Sequence, residues 1–428
     1  MPTEVEGRTS IDVRPEWVCV TMSGRPVPDI VDIVTTRRID VLDVLRGVAI
    51  MGTLGTNIWI FTSPAGPAGA LDALGQTGVV ETFLRFLTNG KFLALLTLLF
   101  GVGLELQYRS AERRGTPWPG RYLWRAALLF TEGLIHYVLV FEFDVLMGYA
   151  LTSIVVAYLI GRSDRVVRAW MITVGSTFTV VIALATFAML YGRADATPST
   201  PSTPSTPASS ALFTDGSYLD QVAARVQMIG VYRMEAVLIV PLGIVLFLLG
   251  SRLMRGGVFD NSDRGRALRG KLMIIGFGAG APLSLLTSFA GDAWFLVDRY
   301  LLPPLVALGL LALTTTVVHR MSGTAGPVRR GLTSVGRTAL SCYVFQNLAA
   351  SALCYGWGLG LAGRFDGLRP WWVVAAWAGI CALFMTLSTL WLRRFERGPL
   401  ELVWQWAYTA PRSRPAADAR TPDGSLRR

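Results

Sequence analysis

The sequence predicts an all-α, polytopic bundle of membrane-crossing helices, on three observations. Hydrophobic residues make up 52% of the 428, and charged residues only 16%, against about a quarter in soluble domains. The mean hydropathy is +0.46. The apolar residues fall into blocks of about 20, the length that crosses a bilayer, separated by short arginine-bearing breaks. A single soluble domain, a disordered chain and a secreted disulfide scaffold are excluded.

About ten spans are expected, near 42–62, 83–106, 123–141, 144–161, 170–191, 235–252, 272–291, 296–318, 336–356 and 371–392. The polar residues 1–40 form an N-terminal tail, so no cleavable signal peptide is expected. Residues 41–191 and 235–408 make two membrane halves. Between them, 192–234 carries the Thr197–Pro207 Pro/Ser/Thr repeat, which favours extended chain and reads as an extracytoplasmic spacer. Residues 409–428 are polar and read as a disordered tail. Basic residues gather before the first span (Arg37, Arg38) and after the second, fourth and sixth (Arg109, Arg113, Arg114; Arg162, Arg165, Arg168; Arg252, Arg255), and again after the tenth. By the positive-inside rule those segments and both termini are cytoplasmic. This distribution accounts for the net charge of +11 without nucleic acid. Four scattered cysteines and two histidines give no metal-ligand spacing, so no metal is expected.

Polar groups inside a span are costly, which makes each a candidate for function. Asp43 and Arg46, three residues apart, share a helix face and either anchor the first span as an ion pair or meet substrate. Asn57, three turns further on, either bonds a neighbouring helix or contacts substrate. Lys91 is one of two lysines among 40 basic residues; it either snorkels outward or serves the site. Glu132 and His136 lie four residues apart, and Asp144 follows eight residues later. Histidine is suited to taking and returning a proton near neutral pH, and a carboxylate would orient its ring. The plain alternative is a histidine hydrogen-bonded between helices. Ser341, Tyr343, Gln346 and Asn347 form a polar stripe that either lines a cavity or joins helices. The glycines in Gly356-Trp357-Gly358-Leu359-Gly360 read as a turn.

Several runs together resemble the YeiB-like bacterial inner-membrane proteins, whose C-terminal half is classed as a domain of unknown function. They are Arg38 to Gly47 leading to Asn57, Gly90-Lys91-Phe92 leading to Gly101, Gly133 to His136, and Asp144-Val145-Leu146 leading to Tyr149. Gly336 to Leu340, Tyr343 with Gln346, and Arg397 to Glu401 complete the set. That family is similar to the transmembrane acyltransferases, among them heparan-alpha-glucosaminide N-acetyltransferases and the membrane O-acyltransferases of bacterial glycans. There, Asp-x-x-Arg-Gly opens the first helix and an Asn follows, matched here by Asp43, Arg46, Gly47 and Asn57. The resemblance implies an acyl-CoA donor approached from the cytoplasm and a glycan, lipid or metabolite acceptor on the outer side. This chain departs from those relatives in having no histidine before His136.

On that basis His136 would deprotonate the acceptor, with Asp144 or Glu132 orienting it and Asn57 or Lys91 stabilising the oxyanion. Arg46, Arg125 and Arg337 would hold the coenzyme A phosphates, and Tyr343 and Gln346 would meet substrate. The alternative is a proton-coupled transporter or flippase using the same buried groups. It predicts repeats and broken helices; Pro241, Pro282, Pro303 and Pro304 supply breaks, but no repeat is evident.

Overall fold

The computed structural model describes residues 30–72, 77–194, 207–321 and 325–410, and every statement below concerns these. Most of the predicted N-terminal tail, the Thr197–Thr206 repeat and the C-terminal tail after 410 lie outside them. The chain divides into two units, Met1–Ile39 and Asp40–Arg428; the account below is of the second. It is helical, and the described residues contain no strand.

The first half comprises α1 (Ile30–Phe61), α2 (Gly66–Asp72), α3 (Val79–Thr88), α4 (Lys91–Arg113), α5 (Tyr122–Leu139), α6 (Leu146–Leu159) and α7 (Asp164–Ala194). A short cap follows: α8 (Pro207–Thr214), α9 (Tyr218–Gln227) and α10 (Ile229–Tyr232). The second half holds α11 (Glu235–Arg255), α12 (Asp263–Met273), α13 (Ala281–Phe289) and α14 (Pro303–Arg320). It ends with α15 (Pro327–Arg337), α16 (Ala339–Cys354), α17 (Leu361–Arg364), α18 (Trp371–Trp391) and α19 (Pro399–Thr409). π-helical turns at Ile274–Gly280 and Val297–Leu301 precede α13 and α14.

Seven helices are long and apolar enough to cross a membrane: Asp40–Phe61, Val79–Arg113, Asp164–Gly192, Ile229–Arg255, Asp263–Phe289, Pro303–Arg320 and Trp371–Trp391. α7 shows why a membrane is required. Its Val180, Val181, Leu184, Phe187 and Tyr191 are all exposed, an apolar surface that water would not tolerate. The chain is an all-α membrane protein.

Three of the ten expected spans fall on helices that do not meet that measure: α5, α6 and α16. α6 has 14 residues and α16 has 16, about 21 and 24 Å of helix against a hydrocarbon core of about 30 Å. α5 is 18 residues long but carries Arg125, Glu132 and His136. Of these, α5 carries Glu132 and His136 and α16 carries Ser341, Tyr343, Gln346 and Asn347, whereas Asp43, Arg46, Asn57 and Lys91 lie on helices that meet the measure. The expected second span is also not continuous: it turns at Asn89–Gly90, where Gly90 has φ +68 and a Cβ would lie 2.4 Å from the Arg299 carbonyl oxygen. Only glycine fits there. The spacer predicted for 192–234 is helical from Pro207 onward. Phe213 of α8 enters the core, Ser217 and Asp220 make a capping box at α9, and Arg225 is buried. The glycines after α16 form the expected turn, and Gly356 N–H donates to Phe213 O at 2.9 Å.

Small residues set the closest helix contacts. α4 and α11 approach reciprocally, and a Cβ at Gly101 or Gly250 would lie 2.1 Å from Phe247 O or Leu98 O. α1 and α15 do the same through Gly47 and Gly336. One continuous apolar core runs from Val41 to Phe384 through α1, α4, α6, α11, α14, α16 and α18.

Candidate functional site

Four buried polar side chains form a single row between α1, α16, α5 and the α5–α6 turn. Asn57 Nδ2 donates to Asn347 Oδ1 at 3.2 Å, and Asn347 Nδ2 lies 3.3 Å from His136 Nε2. His136 Nδ1 lies 2.9 Å from Asp144 Oδ1. Relative exposure is 6% for Asn57, 0% for Asn347, 1% for His136 and 4% for Asp144. The row has a direction. A carboxylate can only accept, so the ring proton sits on Nδ1 and Nε2 is left as the acceptor facing Asn347. Asp144 is itself fixed: its Oδ2 accepts the Met147 N–H at 3.1 Å, and Arg233 Nη1 donates to its backbone oxygen at 3.1 Å.

Tyr343 packs beside the imidazole, with ring centroids 5.0 Å apart. Gln346, one turn away, donates to Ile50 O at 3.2 Å. Glu132 is adjacent but does not bond His136; both its carboxylate oxygens are enclosed with no hydrogen-bond partner among the described residues. Asp144 takes the orienting position although it lies eight residues from the ring, because the chain turns back at Val140–Val145.

Lys91 belongs elsewhere. Its Nζ bonds the Phe86 carbonyl and lies 3.2 Å from Ser284 Oγ, which donates to Asp298 Oδ1 at 2.9 Å. Asn89 Nδ2 donates to Asp298 Oδ2 at 2.7 Å, and Arg299 Nη1 donates to Asn89 Oδ1 at 3.1 Å. This second network borders a cavity of about 400 Å³ between the end of α1, α3, the end of α13 and the π-turn before α14. His136 does not line that cavity. Two segments nevertheless link cavity and row: Thr56 and Phe143 line the cavity, and the next residues in the chain are Asn57 and Asp144.

The three candidate phosphate-binding arginines stand at the other end of α1. Arg46 Nη1 donates to Asp43 Oδ1 at 3.0 Å, and Arg337 lies within electrostatic reach of the same carboxylate. Arg125 is close enough to Arg46 to feel its charge, and its guanidinium lies 4.6 Å from the Trp404 ring centroid. Arg337 Nη2 also donates to Glu396 O at 3.2 Å.

Residues 253–410 match the family model described as "Protein of unknown function (DUF418)". "Uncharacterized protein YeiB" of Escherichia coli (strain K12) is 28% identical over 386 residues, covering 85% of this chain and 94% of its own. "Uncharacterized protein YxaH" of Bacillus subtilis (strain 168) is 26% identical over 396 residues, covering 87% and 94%. The chain is similar to these YeiB-like proteins over most of its length. No solved structure matches it.

The region matched by the family model supplies only one member of the polar row, Asn347; Asn57, His136 and Asp144 precede it. Sequence reasoning placed Asn347 in a polar stripe that either lines a cavity or joins helices, without linking it to His136. A spacing of 211 residues from His136 leaves no local pattern to read. Glu105 was also missed. It is 1% exposed and gathers Arg109, Arg255 and Ser251 at 2.6–2.9 Å, a junction of α4 and α11. The buried Glu142–Arg225 pair, at 2.9 Å, ties the cap to the α5–α6 turn.

Proposed function

We propose that this YeiB-like protein transfers an acyl group from acyl-CoA to a hydroxyl or amine of a small-molecule, lipid or glycan acceptor, within the inner membrane. The observation carrying this reading is the oriented His136–Asp144 pair, which leaves Nε2 as a base. A base held by an orienting acid, with no serine or cysteine among the hydrogen-bond partners of its ring in the described residues, suits direct attack by the acceptor. As the acceptor oxygen attacks the thioester carbonyl, its proton passes to His136 Nε2. The C–S bond then breaks, and the proton returns to the departing thiolate. The amides of Asn57 and Asn347 supply N–H groups for the developing oxyanion. This route requires the Asn347 amide to yield Nε2 to the acceptor.

Arg46, Arg125 and Arg337 support a donor site at the inner end of α1. Guanidinium forks suit diphosphate, and these three exceed the acid beside them. Arg46 and Asn57 are eleven residues apart on one helix, about 16 Å along its axis, a gap that an extended pantetheine arm bridges. The arginine distribution supports a cytoplasmic location for this end and for both termini.

The test is release of free thiol from acetyl-CoA by purified protein in lipid nanodiscs, wild type against His136→Ala, across an acceptor panel. Acceptor-dependent release lost in the variant supports the reading, and equal release in both refutes it. A second reading, proton-coupled transport, draws on Pro241 inside α11 and on the two π-helical turns, which interrupt helices as transporter sites do. Uptake into vesicles driven by a pH gradient without acyl donor would select it.

A further inference from the structure

The 400 Å³ cavity is not explained by the proton-transfer row, and its volume is within the range of small-molecule sites, about 300–1,000 Å³. Charge balance restricts what it holds. Four cations, Arg85, Lys91, Arg299 and Arg369, stand in or just behind the wall with four acids, Glu81, Glu235, Asp292 and Asp298. Three of the cations face acids directly, and Lys91 lies within electrostatic reach of Asp298. Arg85 and Arg369 share Glu81 at 2.8 and 3.1 Å, and Arg299 approaches Glu235 at 3.8 Å. Asp298 receives Asn89, Ser284 and Thr287. A charged ligand would meet an equal and opposite set of groups and gain no net partner for its own desolvation.

What the wall does offer is uncharged. Trp59, Phe143, Phe295 and Tyr300 give flat apolar faces, and Thr56, Thr287, Ser288 and Asn89 give hydroxyl and amide groups between them. Trp59 is held by cations, with Arg85 and Arg369 at 5.0 and 5.7 Å from its ring. Aromatic faces beside mixed donors and acceptors fit a molecule with C–H faces and many hydroxyls.

We propose that this cavity binds a neutral polyhydroxylated molecule the size of a mono- or disaccharide. Calling that molecule the acceptor rests on the acyl-transfer reading, because Thr56 and Phe143 bring the wall within one residue of Asn57 and Asp144; the binding itself does not.

The experiment is calorimetric titration of the full chain in lipid nanodiscs, without sugar detergents and without acyl donor. The probes are glucose, maltose, glucose 6-phosphate and glucosamine. The expected result is binding of glucose or maltose at least tenfold tighter than of either charged probe. It should be weakened at least tenfold by Phe295→Trp, which narrows the cavity without touching an ion pair, provided the variant keeps the wild-type melting temperature. No binding of the neutral sugars, equal or tighter binding of a charged probe, or retained affinity in a folded Phe295→Trp overturns the proposal. Sugar binding without thiol release in the separate assay would leave the cavity assignment standing and remove the acyl-transfer reading.

Discussion

His136 and Asp144 meet at 2.9 Å although α5 ends between them, and the turn at Val140–Val145 closes both side chains from solvent. The acid orients the ring from the far side of a chain reversal, so the pair depends on the α5–α6 junction as well as on the two residues. Asp144→Asn keeps the shape but lets an amide donate toward Nδ1, favouring the wrong tautomer. Acyl transfer should fall about 10²- to 10⁴-fold, with the melting temperature changed far less than activity. Parallel kinetics and thermal unfolding of the purified variant check this.

At the inner end of α1, Arg46→Ala and Arg337→Ala should raise KM for acetyl-CoA about tenfold each and leave kcat within a factor of two or three. A lost phosphate contact weakens donor binding without altering the proton-transfer groups. Steady-state kinetics with varied acetyl-CoA separate the two parameters.

The α1–α15 crossing is set by Gly336, where a Cβ would lie 1.8 Å from Asp43 O. Gly336→Ala should destabilise by about 1–3 kcal/mol and move Asp43 with its Arg46 partner. Gly379→Ala, which meets nothing within 4 Å, should be nearly neutral. Thermal melts of both in one lipid system test the contrast.

Glu142 and Arg225 are each 1% exposed and joined at 2.9 Å. Removing one partner strands a buried charge, so Arg225→Met should cost about 3–5 kcal/mol, and Glu142→Gln with Arg225→Met together should cost less than the two singly. A double-mutant cycle on melting temperature shows the recovery.

The cap carries a pH dependence. Asp220 accepts from the Ser217 side chain and backbone, which holds its carboxyl below the ordinary range. Its contribution is therefore present above the usual carboxylate pKa and is lost as pH falls through the lowered folded value. Hydrogen exchange at the first turn of α9 should show excess opening as pH drops into the acid range, and Asp220→Asn should remove that excess.

The fold was legible because hydrophobic length is a local property: the apolar runs behind α1, α4, α7, α11 and α18 are contiguous in sequence. The site was legible in parts. His136 and Asp144 lie in one stretch, and their pairing needed only a turn. Glu132 was equally placed by its four-residue spacing from His136, and nothing in the sequence told which acid the ring faces. Asn347 reaches the imidazole by tertiary packing alone, and Lys91 is drawn to Ser284 and Asp298 across 193 residues or more, a distance no local pattern spans. The break at Gly90 was hidden because a turn glycine within an apolar run reads as one more small helix residue.

Each hydrogen in the row from Asn57 to Asp144 points the same way, and the order cannot be reversed at one member alone. Flipping Asn347 would bring its oxygen against a lone pair on the imidazole and its N–H₂ against that of Asn57, two repulsions from one rotation. The polarity of the row is thus a collective property of three helices, and whatever displaces the Asn347 amide sets the sense of the whole line at once.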